Sequence, residues 1–115
     1  MIYKQDFFLD SYIKAALDKK LEELVVLDVR EQTSIADYFI ICSGLSNRQV
    51  RAVAESIYID LKKIDIKPLS IEGQKEGCWV IMDYGHVIIH IFYKPLRILY
   101  DLESLWVDAK RIVEY

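Results

Sequence analysis

Cysteine is scarce in this 115-residue sequence. The two present, Cys42 and Cys78, lie in apolar, strand-like stretches and form no Cys-x-x-Cys pair. Zinc sites built from cysteine use such closely spaced pairs, so the sequence gives almost no support for one. A free cysteine in an apolar stretch behaves as a small hydrophobic side chain. We therefore expect two buried free thiols and no disulfide, as is usual in a reducing compartment.

Long hydrophobic runs are missing as well. The longest apolar stretch is 87–93, and His90 interrupts it, whereas a membrane-spanning helix needs about 20 apolar residues. The N-terminal segment carries acids at Asp6 and Asp10 and lacks the apolar run of a signal peptide. The sequence therefore predicts a cytoplasmic protein that makes no membrane contact.

Basic residues are not in excess either. The chain has 15 Lys and Arg against 18 Asp and Glu, for a formal net charge of −3. Proteins that bind bare nucleic acid do so mainly by neutralising phosphates with Lys and Arg. Direct nucleic-acid recognition is therefore disfavoured, and the acidic surface is better suited to a basic protein partner.

The sequence does contain enough apolar residues to build one domain. It is 53% hydrophobic and 29% charged, unlike a disordered chain, and its length suits a single domain spanning residues 1–115. Apolar periodicity predicts the order α-β-β-α-β-β-β-α. This order indicates an α/β (α+β) fold with one mixed five-stranded sheet and helices on at least one face. The predicted helices cover 6–20, 46–63 and 95–112, and the predicted strands cover 24–29, 38–43, 67–71, 78–83 and 86–93.

Catalytic patterns are weak. The junction 43–46 between a predicted strand and helix could present backbone N–H groups to an anion, but 47–51 lacks the carboxylate pair that would hold magnesium. A G-x-S-x-G nucleophile motif is also missing. His86 and His90 would share one face of a strand about 13 Å apart, without an evident third ligand. We expect a protein that is not an enzyme, with no catalytic residue, no metal and no cofactor.

Aromatic side chains are more informative because they gather in the last third of the chain, interleaved with acids. Strand alternation places Trp79, Ile81 and Asp83 on one face, next to a tight turn at 84–85. Protein interfaces favour Trp and Tyr as anchors, with charges that set register and specificity. Taken singly, each aromatic is more often a core residue, but together they indicate a partner-binding segment over 72–93.

A series of short motifs supports this interpretation. Their order and spacing over residues 24–109 resemble those of the ribosomal silencing factor family, also called the Iojap family. One departure is His86, where the family often has an acid after the turn glycine. The motifs are Asp28-Val29, Asp37-Tyr38-Phe39, Ser43-Gly44, Ser46, Glu72-Gly73, Gly77, Trp79, Asp83-Tyr84-Gly85, His90, Phe92, Arg97, Tyr100-Asp101-Leu102-Glu103 and Leu105-Trp106.

The resemblance implies a nucleotidyltransferase-like fold without the catalytic acids, which agrees with the missing carboxylate pair. It also implies binding to protein fourteen of the large ribosomal subunit, at the face that meets the small subunit. Occupying that face would block subunit joining and lower translation when nutrients are scarce. Organelle relatives act in large-subunit assembly, and a homodimer of the free protein is plausible on the same resemblance.

The resulting hypothesis is a steric anti-association factor that docks through one sheet face and the last helix. Three alternatives stay open: a large-subunit assembly factor that uses the same contact, a residual nucleotide-binding nucleotidyltransferase, and a direct RNA binder. In the hypothesis Trp79 and Tyr84 are apolar anchors, whereas Asp83 and Glu103 pair with Lys or Arg of the partner. The complete predicted contact set is Trp79, Ile81, Asp83, Tyr84, Tyr100, Glu103 and Trp106.

Overall fold

The computed structural model describes residues 7–17, 19 and 21–114. Positions 6, 18 and 20 of the predicted first helix lie outside the described residues, as do the ends of the predicted domain at 1–6 and 115. The helices are α1 (Phe7–Leu17), α2 (Asn47–Lys62), α3 (Lys94–Tyr100) and α4 (Leu102–Leu105). The strands are β1 (Glu22–Asp28), β2 (Tyr38–Gly44), β3 (Ser70–Glu72), β4 (Trp79–Asp83), β5 (Val87–Tyr93) and β6 (Lys110–Glu114).

Over the described residues, the strands form one mixed sheet in the order β3-β4-β5-β2-β1-β6. The central pair β2–β5 is parallel, and the other four neighbouring pairs are antiparallel. A mixed sheet with flanking helices is therefore confirmed. The predicted count of five strands is wrong because β6 adds a sixth.

Helix α2 forms where its sequence predicts it. The Ser46 hydroxyl accepts a hydrogen bond from the Gln49 backbone N–H at 3.0 Å, and the Gln49 side chain accepts one from the Leu45 N–H at 2.6 Å. These bonds satisfy N–H groups that the first helical turn leaves without a partner. The predicted apolar stripe is buried against the sheet; it consists of Val50, Val53, Ala54, Ile57 and Leu61.

The two faces of the sheet carry separate apolar clusters. On the first face, α1 and α2 pack over side chains such as Ile40, Val80 and Ile89. On the second face, Leu102 and Trp106 cover side chains that include Phe39 and Phe92. Every residue of β2 is buried, as expected for a central strand covered on both sides.

The C-terminal helix predicted over 95–112 is wrong beyond Tyr100. Pro95 does lie in the first turn of α3, but Asp101 adopts a left-handed conformation (φ 48°, ψ 50°), and its N–H donates to the Arg97 carbonyl to end the helix. After the short α4, residues 110–114 pair with β1 as an edge strand. This segment includes Ile112 and Val113, β-branched residues of the kind that strands favour.

Two smaller predictions also need correction. His86 precedes β5 and contacts the Tyr12 ring on the first face (centroids 5.8 Å apart), whereas His90 contacts Phe39 of the second face. The two histidines therefore lie on opposite faces because His86 belongs to the turn. Both cysteines are free, but only Cys42 is buried and Cys78 is partly exposed. Burial raises the pKa of the Cys42 thiol to about 12.

Candidate partner-binding face

The alternation predicted for β4 is confirmed. Val80 and Met82 are fully buried on the first face, while Trp79, Ile81 and Asp83 are partly exposed on the second. The partly exposed side chains lie near the β3 edge of the sheet, beside the segment covered by Leu102 and Trp106. We use the term docking face for Trp79, Ile81 and Asp83 together with Tyr100, whose ring contacts Trp79 at 5.3 Å between centroids.

The Trp79 indole is held by contacts on several sides. It stacks on Phe92 with the ring centroids 4.8 Å apart and an interplanar angle of 26°. Tyr100 packs against it from α3, and the indole Nε1–H donates a hydrogen bond to His90 Nδ1 at 3.1 Å. An aromatic side chain fixed in this way loses little conformational entropy on binding, which favours its use as an interface anchor.

His90 lies below this anchor, in the middle of β5. It is 7% exposed, and burial lowers the pKa of its imidazole to about 4. The ring is therefore neutral at pH 7, as it must be for Nδ1 to accept the Trp79 N–H. The other ring nitrogen, Nε2, is buried and has no hydrogen-bond partner among the described residues.

An acidic rim borders the docking face. In the β3–β4 pairing, Glu72 lies opposite Ile81 and Ser70 lies opposite Asp83. Asp83 accepts a hydrogen bond from the Gly85 N–H at 2.8 Å. Neither Glu72 nor Asp83 forms an ion pair with any residue in the described ranges, so the rim retains its negative charge.

Glu103, a predicted partner contact, forms ion pairs within the molecule. Its carboxylate lies 3.0 Å from Nε of the buried Arg97 and 3.4 Å from Arg111. Arg97 also donates to the Ser43 hydroxyl and to the Glu23 carbonyl. Glu103 therefore neutralises a buried arginine that ties α3 and α4 to β1 and β2, and its carboxylate is already engaged inside the molecule.

The two predicted anchors do not share a surface. Tyr84 continues the phase of Val80 and Met82, so it lies in the first-face cluster, where its ring packs on Tyr12 at 5.1 Å. Burial raises the pKa of the Tyr84 hydroxyl well above its usual value. Trp106 is also on the second face and partly exposed, but it packs edge-on against Phe39 of β2, at 5.1 Å between centroids, and not against β4. Of the seven predicted contact residues, Trp79, Ile81, Asp83 and Tyr100 come together as one open surface.

Sequence reasoning missed two exposed apolar residues that precede Tyr100 on α3. Ile98 and Leu99 are 74% and 72% exposed, next to Tyr100 at 55%. The sequence did indicate that some of these side chains are exposed, because three consecutive apolar residues on a helix cannot all face the core. Arg97 takes the inward position instead, which leaves the apolar triplet outside.

A rigid aromatic side chain, exposed apolar residues on α3 and acids at the rim are features that protein interfaces favour. The family model described as "Ribosomal silencing factor during starvation" matches residues 5–115. The chain therefore belongs to the ribosomal silencing factor family, a family of ribosome-associated regulatory proteins, and the resemblance drawn from its motifs is confirmed.

Individual relatives agree with this assignment. The Bacillus subtilis protein named "Ribosomal silencing factor RsfS" is 41% identical over 92 residues, covering 80% of this chain and 78% of the relative. A crystal structure of a Chromobacterium violaceum protein superposes with a TM-score of 0.84 at 34% identity, covering 91% of this chain and 87% of the other. A mouse protein named "Mitochondrial assembly of ribosomal large subunit protein 1" is 29% identical over 103 residues, covering 87% of this chain and 45% of its own length.

Proposed function

We propose that this protein represses translation by binding protein fourteen of the large ribosomal subunit and sterically blocking the small subunit, in the cytoplasm and under nutrient limitation. The observation that carries the proposal is the docking face: a partly exposed, pre-oriented Trp79 beside Ile81, with acids at the rim. Membership of the silencing-factor family supplies the ribosomal context. A steric mechanism needs no catalytic group, metal or cofactor.

The charge of the rim supports a basic partner. Glu72 and Asp83 keep their negative charge next to an apolar centre, and ribosomal proteins are generally basic, so the potentials are complementary. An apolar centre with a charged rim is the usual anatomy of a specific protein interface. The proposed contact therefore combines burial of Trp79 and Ile81 with cations that face Glu72 and Asp83.

Sedimentation of purified subunits tests the proposal. The protein should travel with the large subunit and reduce 70S formation when small subunits are added. Trp79→Ala should weaken binding by about 30- to 1000-fold, as expected for loss of a central anchor worth ~2–4 kcal/mol. The matched control is Ile64→Ala, because Ile64 is 55% exposed and follows α2 on the other side of the sheet. Migration with the small subunit alone, or with neither subunit, would contradict the proposal.

A second candidate function is assembly of the large subunit through the same face. The observation in its favour is the printed name of the mouse relative, which concerns assembly of a mitochondrial large subunit. Ribosome profiles of cells that lack the protein separate the two functions. An assembly role requires precursor particles of the large subunit to accumulate, whereas silencing leaves mature subunits in normal amounts and raises the 70S fraction in starvation.

We also propose that two copies can pair through the docking face when no ribosome is present, because the exposed Tyr100 and the uncovered part of Trp79 would otherwise remain in water. Sedimentation velocity of the free protein at increasing concentration tests this. A dimer that Trp79→Ala converts to a monomer supports the proposal, and a wild-type protein that remains monomeric would contradict it.

A further inference from the structure

The polar atom of the Trp79 side chain has its hydrogen-bond partner inside the molecule. Its Nε1–H points to His90 Nδ1 at 3.1 Å, while the rest of the indole stays partly exposed. At most interfaces an exposed Trp offers both an apolar body and an N–H that needs an acceptor. Here the N–H is already bonded, so the indole offers a partner only the apolar edges and ring surface that Phe92 and Tyr100 leave uncovered.

His90 is an unexpected choice for this buried position. Because Nδ1 accepts, the proton of the neutral ring must be on Nε2, and that buried N–H lacks a hydrogen-bond partner among the described residues. The neighbouring rings of Phe39 and Phe92 lie at 5.1 and 6.4 Å between centroids. An apolar ring of the same shape would fill the space without leaving a buried donor unbonded. The core therefore gains nothing from this histidine that phenylalanine would not supply, apart from the bond to Trp79.

We propose that His90 is a positioning residue of the docking face: by accepting the Trp79 N–H it fixes the indole and reserves its exposed surface for an aliphatic or cationic side chain. The partner group seated there is accordingly the stem and head of a Lys or Arg, not a hydrogen-bond acceptor. This inference rests on the proposed function and specifies the chemistry of the partner at the same site.

The surrounding charges favour a Lys or Arg over a neutral aliphatic residue. Glu72 lies directly across from Ile81, two residues from Trp79 on the same face, and it has no ion-pair partner among the described residues. A cation over an indole is attracted by the π system, and its methylene stem packs on apolar surface while the charge reaches for the acid. A buried acceptor from the partner, by contrast, would find no donor on the indole.

A double-mutant cycle on binding to purified large subunits tests the role of His90. His90→Phe keeps a ring but removes the acceptor, and it should weaken binding by about tenfold, which is ~1.4 kcal/mol. His90→Asn, whose side-chain oxygen can approach the position of Nδ1, should recover part of that loss. In a Trp79→Phe background, which has no indole N–H, His90→Phe should change affinity by less than about twofold.

Nitrogen NMR of the free protein supplies a readout that a merely structural role would not move. The wild-type spectrum should show His90 neutral, with its proton on Nε2. His90→Phe should shift the indole N–H signal of Trp79 and leave that of Trp106 in place. If His90→Phe does not fold, the His90→Asn variant and the wild-type spectrum decide the same question.

The outcomes separate the two proposals. If the wild-type protein binds large subunits, three results would overturn only the role of His90. They are an unchanged affinity of His90→Phe, an equal loss of affinity from His90→Phe in the Trp79→Phe background, and a proton on Nδ1 of the wild-type ring. Failure of the wild-type protein to bind large subunits would overturn the proposed function, and with it the assignment of a Lys or Arg at Trp79, while the spectra would still report on the His90–Trp79 bond.

Discussion

Removing the Glu103 carboxylate distinguishes an internal ion pair from a partner contact. Arg97 is 6% exposed and its guanidinium lies 3.0 Å from Glu103. Glu103→Ala leaves that cation buried, and the acceptors that remain for it among the described residues are the Ser43 hydroxyl and the Glu23 carbonyl. Breaking a buried pair in this way costs ~3–5 kcal/mol, and we expect the lower end because the Glu103 side chain is 20% exposed.

The expected loss is large for a chain of this size. A 115-residue domain has a free energy of unfolding of roughly 6–17 kcal/mol at 0.05–0.15 kcal/mol per residue. A loss of ~3 kcal/mol should lower the melting temperature by about 10–20 °C. Urea unfolding followed by circular dichroism measures the change, and the loss should appear as a lower midpoint with an unchanged slope.

Glu55→Ala provides the matched control. Glu55 is an exposed acid on α2 without an ion pair among the described residues, so the substitution should change stability by less than ~0.5 kcal/mol. The reasoning about Glu103 would be refuted if Glu103→Ala unfolded like the wild type but bound large subunits more weakly. In that case Glu103 would act as the partner contact that the sequence predicts.

Three further predictions follow from buried and surface groups. Because the pKa of His90 is lowered from 6.5 to about 4, its protonation favours the unfolded chain. The free energy of unfolding should therefore fall by ~3 kcal/mol as the pH is lowered from 6.5 to 4. Calorimetry of His90→Phe should show a weaker dependence of stability on pH over the same range. Gly73→Ala should destabilise by ~1–3 kcal/mol, since Gly73 has φ +80° and an added Cβ would lie 2.0 Å from the Trp79 carbonyl oxygen. Equilibrium unfolding should show a smaller loss for Gly85→Ala, whose Cβ would make only an ordinary contact with Leu69 Cδ1 at 3.6 Å. Asp83→Lys should weaken binding to large subunits by about tenfold at low salt. The control is Asp83→Asn, whose side chain can still accept the Gly85 N–H. Equal affinities of Asp83→Lys and the wild type would remove Asp83 from the site.

The parts of the fold that depend on neighbouring residues were predictable from the sequence. The Ser46 cap and the stripe behind it define α2, and strict alternation fixes which side chains of 79–83 face outward. The β4–β5 hairpin follows from the turn residues, and Gly85 does adopt a positive φ of 90°. These features are set within about ten residues of chain, so local spacing is sufficient to find them.

Features set by distant contacts were not predictable. Strand β6 forms by pairing with β1, about 80 residues earlier, and nothing local distinguishes it from the end of a helix. The inward turn of Arg97 depends on acceptors at Glu23 and Ser43, which sequence spacing does not bring together. Tyr84 is a different case, because the β4 alternation that places Val80 and Met82 on the first face also predicts that Tyr84 lies there. Its placement was therefore available from local spacing.

The central claim is that the docking face contacts protein fourteen of the large subunit. The most direct test places a photo-crosslinking residue at Ile81, in the middle of that face, and irradiates the protein bound to large subunits. Mass spectrometry should identify protein fourteen as the main crosslinked product from position 81, with no such product from position 64 on the other side of the sheet. A crosslink from position 81 to a different ribosomal protein or to RNA, or equal yields of protein fourteen from both positions, would contradict the account.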